Sequence, residues 1–269
     1  MKHIPMPGSA KLESLVIKSV CNKNGWQSHE AAWLAAYASY YVNKGNAWKL
    51  NPIGLSVKKQ QYDLYDKRKG GGPLLRLRQT PGLLSCPMCG SSTTGHLDHY
   101  LPRTVYQEFS ILKANLIPAC NHCNSGSKRM TVKGGKGERF IHPYFDFWAD
   151  KPIWYIRFVG PLEAVRFKPT ARKTLLPNRE AIISFHLKNV LGDQFHRSME
   201  VKWSTLPRDM LLRLKYTNLQ LSDVREQLQE ELLSAVATTG ENGWGSAFFR
   251  GLLRDQVATE FVWNEILKL

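Results

Sequence analysis

The fold is decided by three pieces of sequence: CPMCG at 86–90, HLDHYLP at 96–102 and ANLIPACNHCN at 114–124. They contain two C-x-x-C pairs separated by 30 residues. In a chain without secretory features, two such pairs indicate a metal site before a disulfide framework. Four thiolates suit tetrahedral zinc, and each pair is a compact turn that presents two sulfurs. We therefore predict one structural Zn²⁺ ion, with these ligands: Cys86, Cys89, Cys120 and Cys123.

The segment between the cysteine pairs and the residue after it supply a second set of polar groups. Asp98 and His99 are adjacent in a short apolar stretch that predicts a strand, and Asn115 and Asn124 flank the second pair. Hydrolysis of a phosphodiester needs a base that activates water and a cation that neutralises the phosphate. The oxygens of Asp98 and Asn124 suit such a cation, and a histidine titrates near neutral pH. Asn115 is a candidate to accept the second N–H of the imidazole and so fix its tautomer.

The order and spacing of these residues resemble the HNH endonucleases, also called ββα-metal nucleases. The family pattern is C-x-x-C, D-H-x-x-P, N-L, C-x-x-C-N and a lysine, and all of it is found within residues 84–130. The resemblance implies that Asp98 and Asn124 bind a catalytic Mg²⁺ or Mn²⁺ ion, which hard oxygen ligands favour. It also implies that His99 is the general base and that Asn115 orients it. The name-giving pattern ends in histidine, where this chain has asparagine.

The flanking sequence predicts an α+β fold in three segments. Residues 1–82 form a basic helical segment, 83–142 the HNH module with its zinc site, and 143–269 a mixed region suited to docking a partner. In the third segment, β-branched and aromatic residues on both sides of Gly160-Pro161 predict two strands. Apolar residues at helical spacing predict further helices, the last over about 247–267.

Positive charge is concentrated in the first half of the chain. The net charge is +15, and residues 1–85 hold 13 basic and 4 acidic side chains. Such a surface suits a polyanion, most commonly nucleic acid. A basic loop is expected at 56–82, where GGGP at 70–73 interrupts regular structure. The predicted DNA contacts are Lys67, Arg68 and Lys69 in this loop, and Lys128 and Arg129 just inside a helix that follows the second cysteine pair.

A longer string adds a narrower resemblance. Residues 97–110, together with HPYFD at 142–146, are similar to the HNH subunits of bacterial phage-defence systems such as the Septu and retron-linked systems. Those subunits act beside an ABC-type ATPase. The resemblance therefore implies an effector of anti-phage defence with an ATPase as its protein partner.

Bulk properties and two alternatives complete the expectations. No apolar run reaches the roughly 18 residues that span a bilayer, and the first residues lack a signal-peptide core, so a cytoplasmic protein without a membrane partner is expected. A non-catalytic zinc module that binds nucleic acid would explain the cysteines and the charge, but not the other polar residues of the insert. An interaction subunit that cleaves only within a complex is the second alternative. DNA is the expected substrate, with RNA as the other possibility.

Overall fold

The computed structural model describes residues 1–68, 70–128, 130–173, 176–214 and 218–269, without the side chains of Ser127 and Pro177. The helices of the described chain are α1 (Ala10–Asn24), α2 (Gln27–Val42), α3 (Lys58–Asp66), α4 (Gly72–Arg78), α5 (Pro177–Val190), α6 (Asp193–Leu211), α7 (Leu221–Thr239), α8 (Trp244–Leu252) and α9 (Gln256–Leu267). The strands are β1 (His96–His99), β2 (Leu116–Ala119), β3 (Trp154–Val159) and β4 (Arg166–Ala171). The predicted mixture of helices and small sheets is confirmed.

Helices α1 and α2 form a hairpin whose ends follow local rules. The Ser9 hydroxyl accepts a hydrogen bond from the Leu12 N–H and caps α1. Gly25 ends α1 in the left-handed conformation, at φ 71°. The indole N–H of Trp33 in α2 donates to the Glu108 carbonyl at 2.8 Å. This contact ties the helical hairpin to the segment that connects β1 and β2.

The basic segment 56–82 contains two helices, so the prediction of a loop throughout is wrong. Lys58–Asp66 and Gly72–Arg78 form α3 and α4, which bury Leu64 and Leu74. Gly70 and Gly71 lie between the two helices, and Gly72 is the first residue of α4, so the glycine run marks the break between the helices. Apolar residues at helical spacing outweigh the glycine run on either side of it.

Strands β1 and β2 pair antiparallel, with Asp98 opposite Ile117 and His99 opposite Leu116. A helical turn at Cys123–Ser127 follows β2 and contacts β1. The predicted strand at Asp98-His99 is confirmed. Because β2 is buried along its whole length, the register that sets His99 is fixed by the core.

The C-terminal region surrounds the antiparallel hairpin of β3 and β4. Helix α8 packs against β3 so closely that a Cβ on Gly251 would lie 2.0 Å from the Ile156 carbonyl oxygen. The long last helix expected over 247–267 is instead two helices, because the Asp255 carboxylate accepts from the Ala258 N–H and starts α9 anew. None of the helices in the described ranges has the length and apolar character that a membrane crossing requires.

Candidate active site and metal centre

The four predicted zinc ligands converge on one point. Their sulfur atoms lie within 4.8 Å of one another, and all four side chains are buried. The Sγ atoms of Cys86 and Cys123 are 3.9 Å apart, and those of Cys89 and Cys120 are 3.7 Å apart. A tetrahedron with Zn–S bonds near 2.3 Å has edges of about 3.8 Å, whereas a disulfide needs about 2.05 Å. The spacing therefore fits a four-coordinate metal ion such as zinc, and all four cysteines are free.

Backbone N–H groups support the sulfurs. The N–H of Cys120 points at Cys86 Sγ, and that of Cys123 points at Cys120 Sγ, each at 3.4 Å. A third N–H, from Ser91, lies 3.4 Å from Cys89 Sγ. Such contacts stabilise negative charge on thiolates, the form that binds metal. The cluster is thus built to hold four anionic sulfurs around a cation.

The first C-x-x-C turn is held by segments from both ends of the chain. The Lys2 N–H donates to the Pro87 carbonyl at 3.1 Å, and the indole N–H of Trp244 donates to the Cys89 carbonyl at 2.8 Å. Gly90 is at φ 83°, and a Cβ there would lie 2.4 Å from the Asn242 carbonyl oxygen. The turn therefore requires glycine both for its conformation and for this close approach.

His186 of α5 makes a further contact with this turn. Its Nε2 lies 2.7 Å from the Met88 carbonyl, and its Nδ1 accepts from the Ile141 N–H at 3.0 Å. These bonds define a neutral imidazole with its proton on Nε2. Burial lowers the pKa of His186 to about 3, so the neutral form persists. Sequence reasoning missed this role, because a single histidine in a helix carries no spacing signal.

His99 is held by a backbone carbonyl. Its Nε2 lies 2.9 Å from the Ser110 oxygen, which can only accept, so Nε2 carries the proton and Nδ1 the lone pair. The ring of Tyr65 packs edge-on against the imidazole, with centroids 4.6 Å apart. Burial lowers the pKa of His99 to about 3. The imidazole is therefore neutral at physiological pH and can accept a proton at Nδ1.

Asn115 does not contact the imidazole, contrary to the prediction that it accepts the second N–H. It is fully buried, and its Oδ1 accepts from the Leu101 N–H at 2.7 Å. Its Nδ2 donates to the carbonyls of Leu101 and Phe109 at 3.0 and 3.2 Å. Asn115 thus joins the chain just after His99 to the chain just before Ser110. Its link to His99 and Ser110 therefore runs through the backbone.

Lys128 is buried, which contradicts its predicted contact with phosphate. Its side chain is only 2% exposed, and it follows the helical turn instead of lying within it. Its Nζ donates to Asp98 Oδ2 at 2.9 Å and to the His99 carbonyl. Burial raises the pKa of Asp98, while the neighbouring ammonium opposes that rise. The lysine and the aspartate form an internal ion pair beside the candidate base.

Asp98, His99 and Asn124 line the same open cleft of about 530 Å³. Asn124 is exposed, and its Nδ2 lies 3.5 Å from the Ser125 hydroxyl. A carboxylate and an amide oxygen on one cleft are donors of the kind that Mg²⁺ and Mn²⁺ prefer. Three of the four residues that sequence reasoning assigned to catalysis and to the catalytic ion therefore line one cleft, and the fourth, Asn115, is not among its lining residues.

Arg103 also lines this cleft and was not predicted as a site residue. Its guanidinium lies over the Tyr62 ring at 4.0 Å and the Tyr65 ring at 5.0 Å, and it donates to Asp66 Oδ2 at 2.7 Å. An arginine fixed in this way is suited to bind phosphate. Its position directly after the D-H-x-x-P motif is the one signal that could have pointed to it.

The predicted DNA contacts lie in different places. Lys67 is exposed and Arg68 is half-buried at the end of α3, which carries the aromatic residues of the cleft rim. Lys69 and Arg129 lie outside the described residues. The basic N-terminal segment therefore reaches the cleft through α3.

Comparison with known proteins gives a likeness to a phage protein. Over 79 residues the chain is 42% identical to Protein ea31 of Escherichia phage lambda. The matched stretch covers 28% of this chain and 26% of the phage protein, so the chain spans about a quarter of that relative. No family model matches the chain, and no solved structure matches it. This partial likeness does not show a family.

Proposed function

We propose that the chain is a metal-dependent endonuclease of the HNH type that hydrolyses DNA phosphodiester bonds. The observation that carries the proposal is the state of His99. The Ser110 carbonyl fixes the imidazole proton on Nε2, which leaves Nδ1 free to accept a proton. The His99 side chain lines the cleft. Asp98 and Asn124 supply oxygen donors to the same cleft. The order of β1, β2 and the helical turn, with a four-sulfur cluster at their base, supports the same assignment.

The residues divide the chemistry between them. His99 Nδ1 takes the proton of the attacking water, and the Ser110 carbonyl stabilises the resulting imidazolium by accepting from Nε2–H. Asp98 and Asn124 would hold Mg²⁺ or Mn²⁺, which supplies positive charge to the phosphate and the leaving oxygen. Arg103 and Arg78 line the cleft beside them, where they are suited to contact phosphates. A structural Zn²⁺ on the four cysteines holds the loops that carry these groups.

A protein partner belongs to the proposal as well. The resemblance to HNH subunits of phage-defence systems suggests an ABC-type ATPase and an effector role. The C-terminal helices leave apolar side chains for such a contact, since Leu212 and Leu233 are 79% and 70% exposed. Co-expression with an ABC-type ATPase of a phage-defence system, followed by co-purification, tests this part. If the isolated chain is inactive, cleavage is measured in that complex.

Plasmid cleavage in Mg²⁺ or Mn²⁺ tests the nuclease proposal. His99→Ala should keep its fold and zinc and lose at least ~10²-fold in cleavage rate, the usual size of a general-base contribution. EDTA should stop wild-type cleavage, and added Mg²⁺ should restore it while zinc stays bound. His196→Ala is the matched control, because this histidine is exposed on α6 and is not among the residues that line the cleft. Full activity of His99→Ala would refute the assignment. A chain that binds DNA with zinc but never cleaves it would support the non-catalytic alternative.

A further inference from the structure

A buried cation lies beside Asp98 in the candidate active site. The Lys128 ammonium donates to the Asp98 carboxylate and to the His99 carbonyl. The ring centroids of Tyr100 and Phe140 lie 5.8 and 5.9 Å from its Nζ. A lysine is seldom buried unless it is paired, and here a carboxylate, a carbonyl and two aromatic rings replace its water. The positive charge is therefore fixed in place beside the carboxylate that would bind the catalytic ion.

The charges around the cleft disfavour a second cation. Asp98 is paired with Lys128, and Asp66, the other carboxylate that lines the cleft, is paired with Arg103. Arg78 lines the cleft too, so three cations stand against two carboxylates. The charges of these five side chains sum to +1. Coulomb repulsion disfavours the entry of a divalent ion into such a cleft. The negative charge of a bound phosphodiester would reduce that repulsion.

We propose that Lys128 is a resident counter-cation that keeps the Asp98 site from binding a divalent ion tightly until a phosphodiester lies in the cleft. This inference rests on the proposed nuclease function. The lysine acts as a positioning residue: it orients the Asp98 carboxylate and lowers its attraction for metal. The catalytic ion and the nucleic acid then bind cooperatively, because the substrate brings both negative charge and oxygen ligands.

Mn²⁺ binding measures this coupling without measuring activity. The titration follows free Mn²⁺ by electron paramagnetic resonance in the His99→Ala background, which leaves the DNA intact. A 20-base-pair duplex should tighten Mn²⁺ binding at least about tenfold, or about 1.4 kcal/mol. Lys128→Met should tighten binding at least tenfold without DNA and shrink the gain that DNA gives. Lys188→Met, which removes an exposed lysine of α5 that does not line the cleft, should change neither. Duplex alone and an Asp98→Asn variant correct for Mn²⁺ held by the DNA.

The outcomes separate the two proposals. Equal Mn²⁺ affinity with and without duplex, in a protein whose wild type cleaves DNA, overturns the inference and leaves the nuclease standing. The same holds if Lys128→Met folds and binds Mn²⁺ no better than its parent. No Asp98-dependent Mn²⁺ binding in either state, with no cleavage by wild type, overturns both. If Lys128→Met does not fold, the duplex-dependent gain in the His99→Ala protein, absent from the Asp98→Asn variant, decides the question.

Discussion

Replacement of Asn115 by alanine should destabilise the protein strongly. The side chain is fully buried and takes part in four hydrogen bonds, two with Leu101, one with Phe109 and one with Tyr40. Alanine leaves the buried N–H and carbonyl of Leu101 unpaired and removes one of the two hydrogen bonds to the Phe109 carbonyl, which also accepts from the Leu112 N–H. At roughly 1 kcal/mol for each of the four hydrogen bonds, the free energy of unfolding should fall by about 4 kcal/mol. Cleavage should slow too, since Leu101 and Phe109 set the backbone around His99 and Ser110.

Equilibrium unfolding in urea at neutral pH with zinc present measures the effect. Asn121→Ala is the matched control, because Asn121 is exposed and accepts a single bond from the Ser125 hydroxyl at 3.2 Å. That variant should change stability by less than about 0.5 kcal/mol. Asn115→Asp keeps the shape but sets an oxygen against two carbonyl oxygens, so it should also destabilise. A loss below about 1 kcal/mol for Asn115→Ala, or a loss equal to that of Asn121→Ala, would refute the reasoning.

Three further results are expected. Metal analysis should find about one zinc per chain, and Cys120→Ser should lose both the zinc and the fold. Cys21 is a buried cysteine outside the cluster, so Cys21→Ser should keep the metal. A soluble, zinc-free and active Cys120→Ser protein would contradict the metal site. Burial raises the pKa of Glu108 from 4.5 to about 7, so the folded protein favours the protonated carboxyl. The free energy of unfolding should therefore fall by on the order of 3 kcal/mol as the pH rises from about 4.5 to 7. Urea unfolding should show that Glu108→Gln lacks this decline, and an equal decline in the variant and the wild type would count against the prediction. The double variant Lys67→Gln/Arg68→Gln should flatten the slope of log affinity for DNA against log salt concentration by up to about two units. Lys188→Gln should leave this slope unchanged. An unaltered slope in the double variant would place the DNA surface elsewhere.

Sequence patterns predicted the parts of the site that depend on spacing. Two C-x-x-C pairs were enough to place four sulfurs together, because each pair is a local turn and β1 and β2 bring the turns to one point. The strand at Asp98-His99 followed from the short apolar stretch around it. These features are local or depend on one antiparallel strand pairing, and such features can be predicted from the hydrophobic pattern of the sequence.

The remaining contacts of the site depend on groups that no side-chain pattern records. The partner of His99 is the Ser110 carbonyl, and any residue at 110 would offer one. Lys128 was taken for a surface contact because lysine is ordinarily exposed, and its burial follows from the position of the Asp98 carboxylate. The segment 56–82 was predicted to be a loop from its glycines and charges, although its helices form by packing apolar faces on the core.

The contacts of the first cysteine turn have a consequence for protein engineering. A fragment cut at 83–142 would contain every zinc ligand, yet it would lack Lys2, His186 and Trp244, the donors that satisfy the carbonyls of Pro87, Met88 and Cys89. Such a fragment is a poor cassette for grafting onto a foreign DNA-binding domain, because its exposed turn would have to recruit water in place of three lost donors. A fusion that keeps the chain whole and attaches its new domain through an exposed loop, such as the one at Gly160, preserves all three.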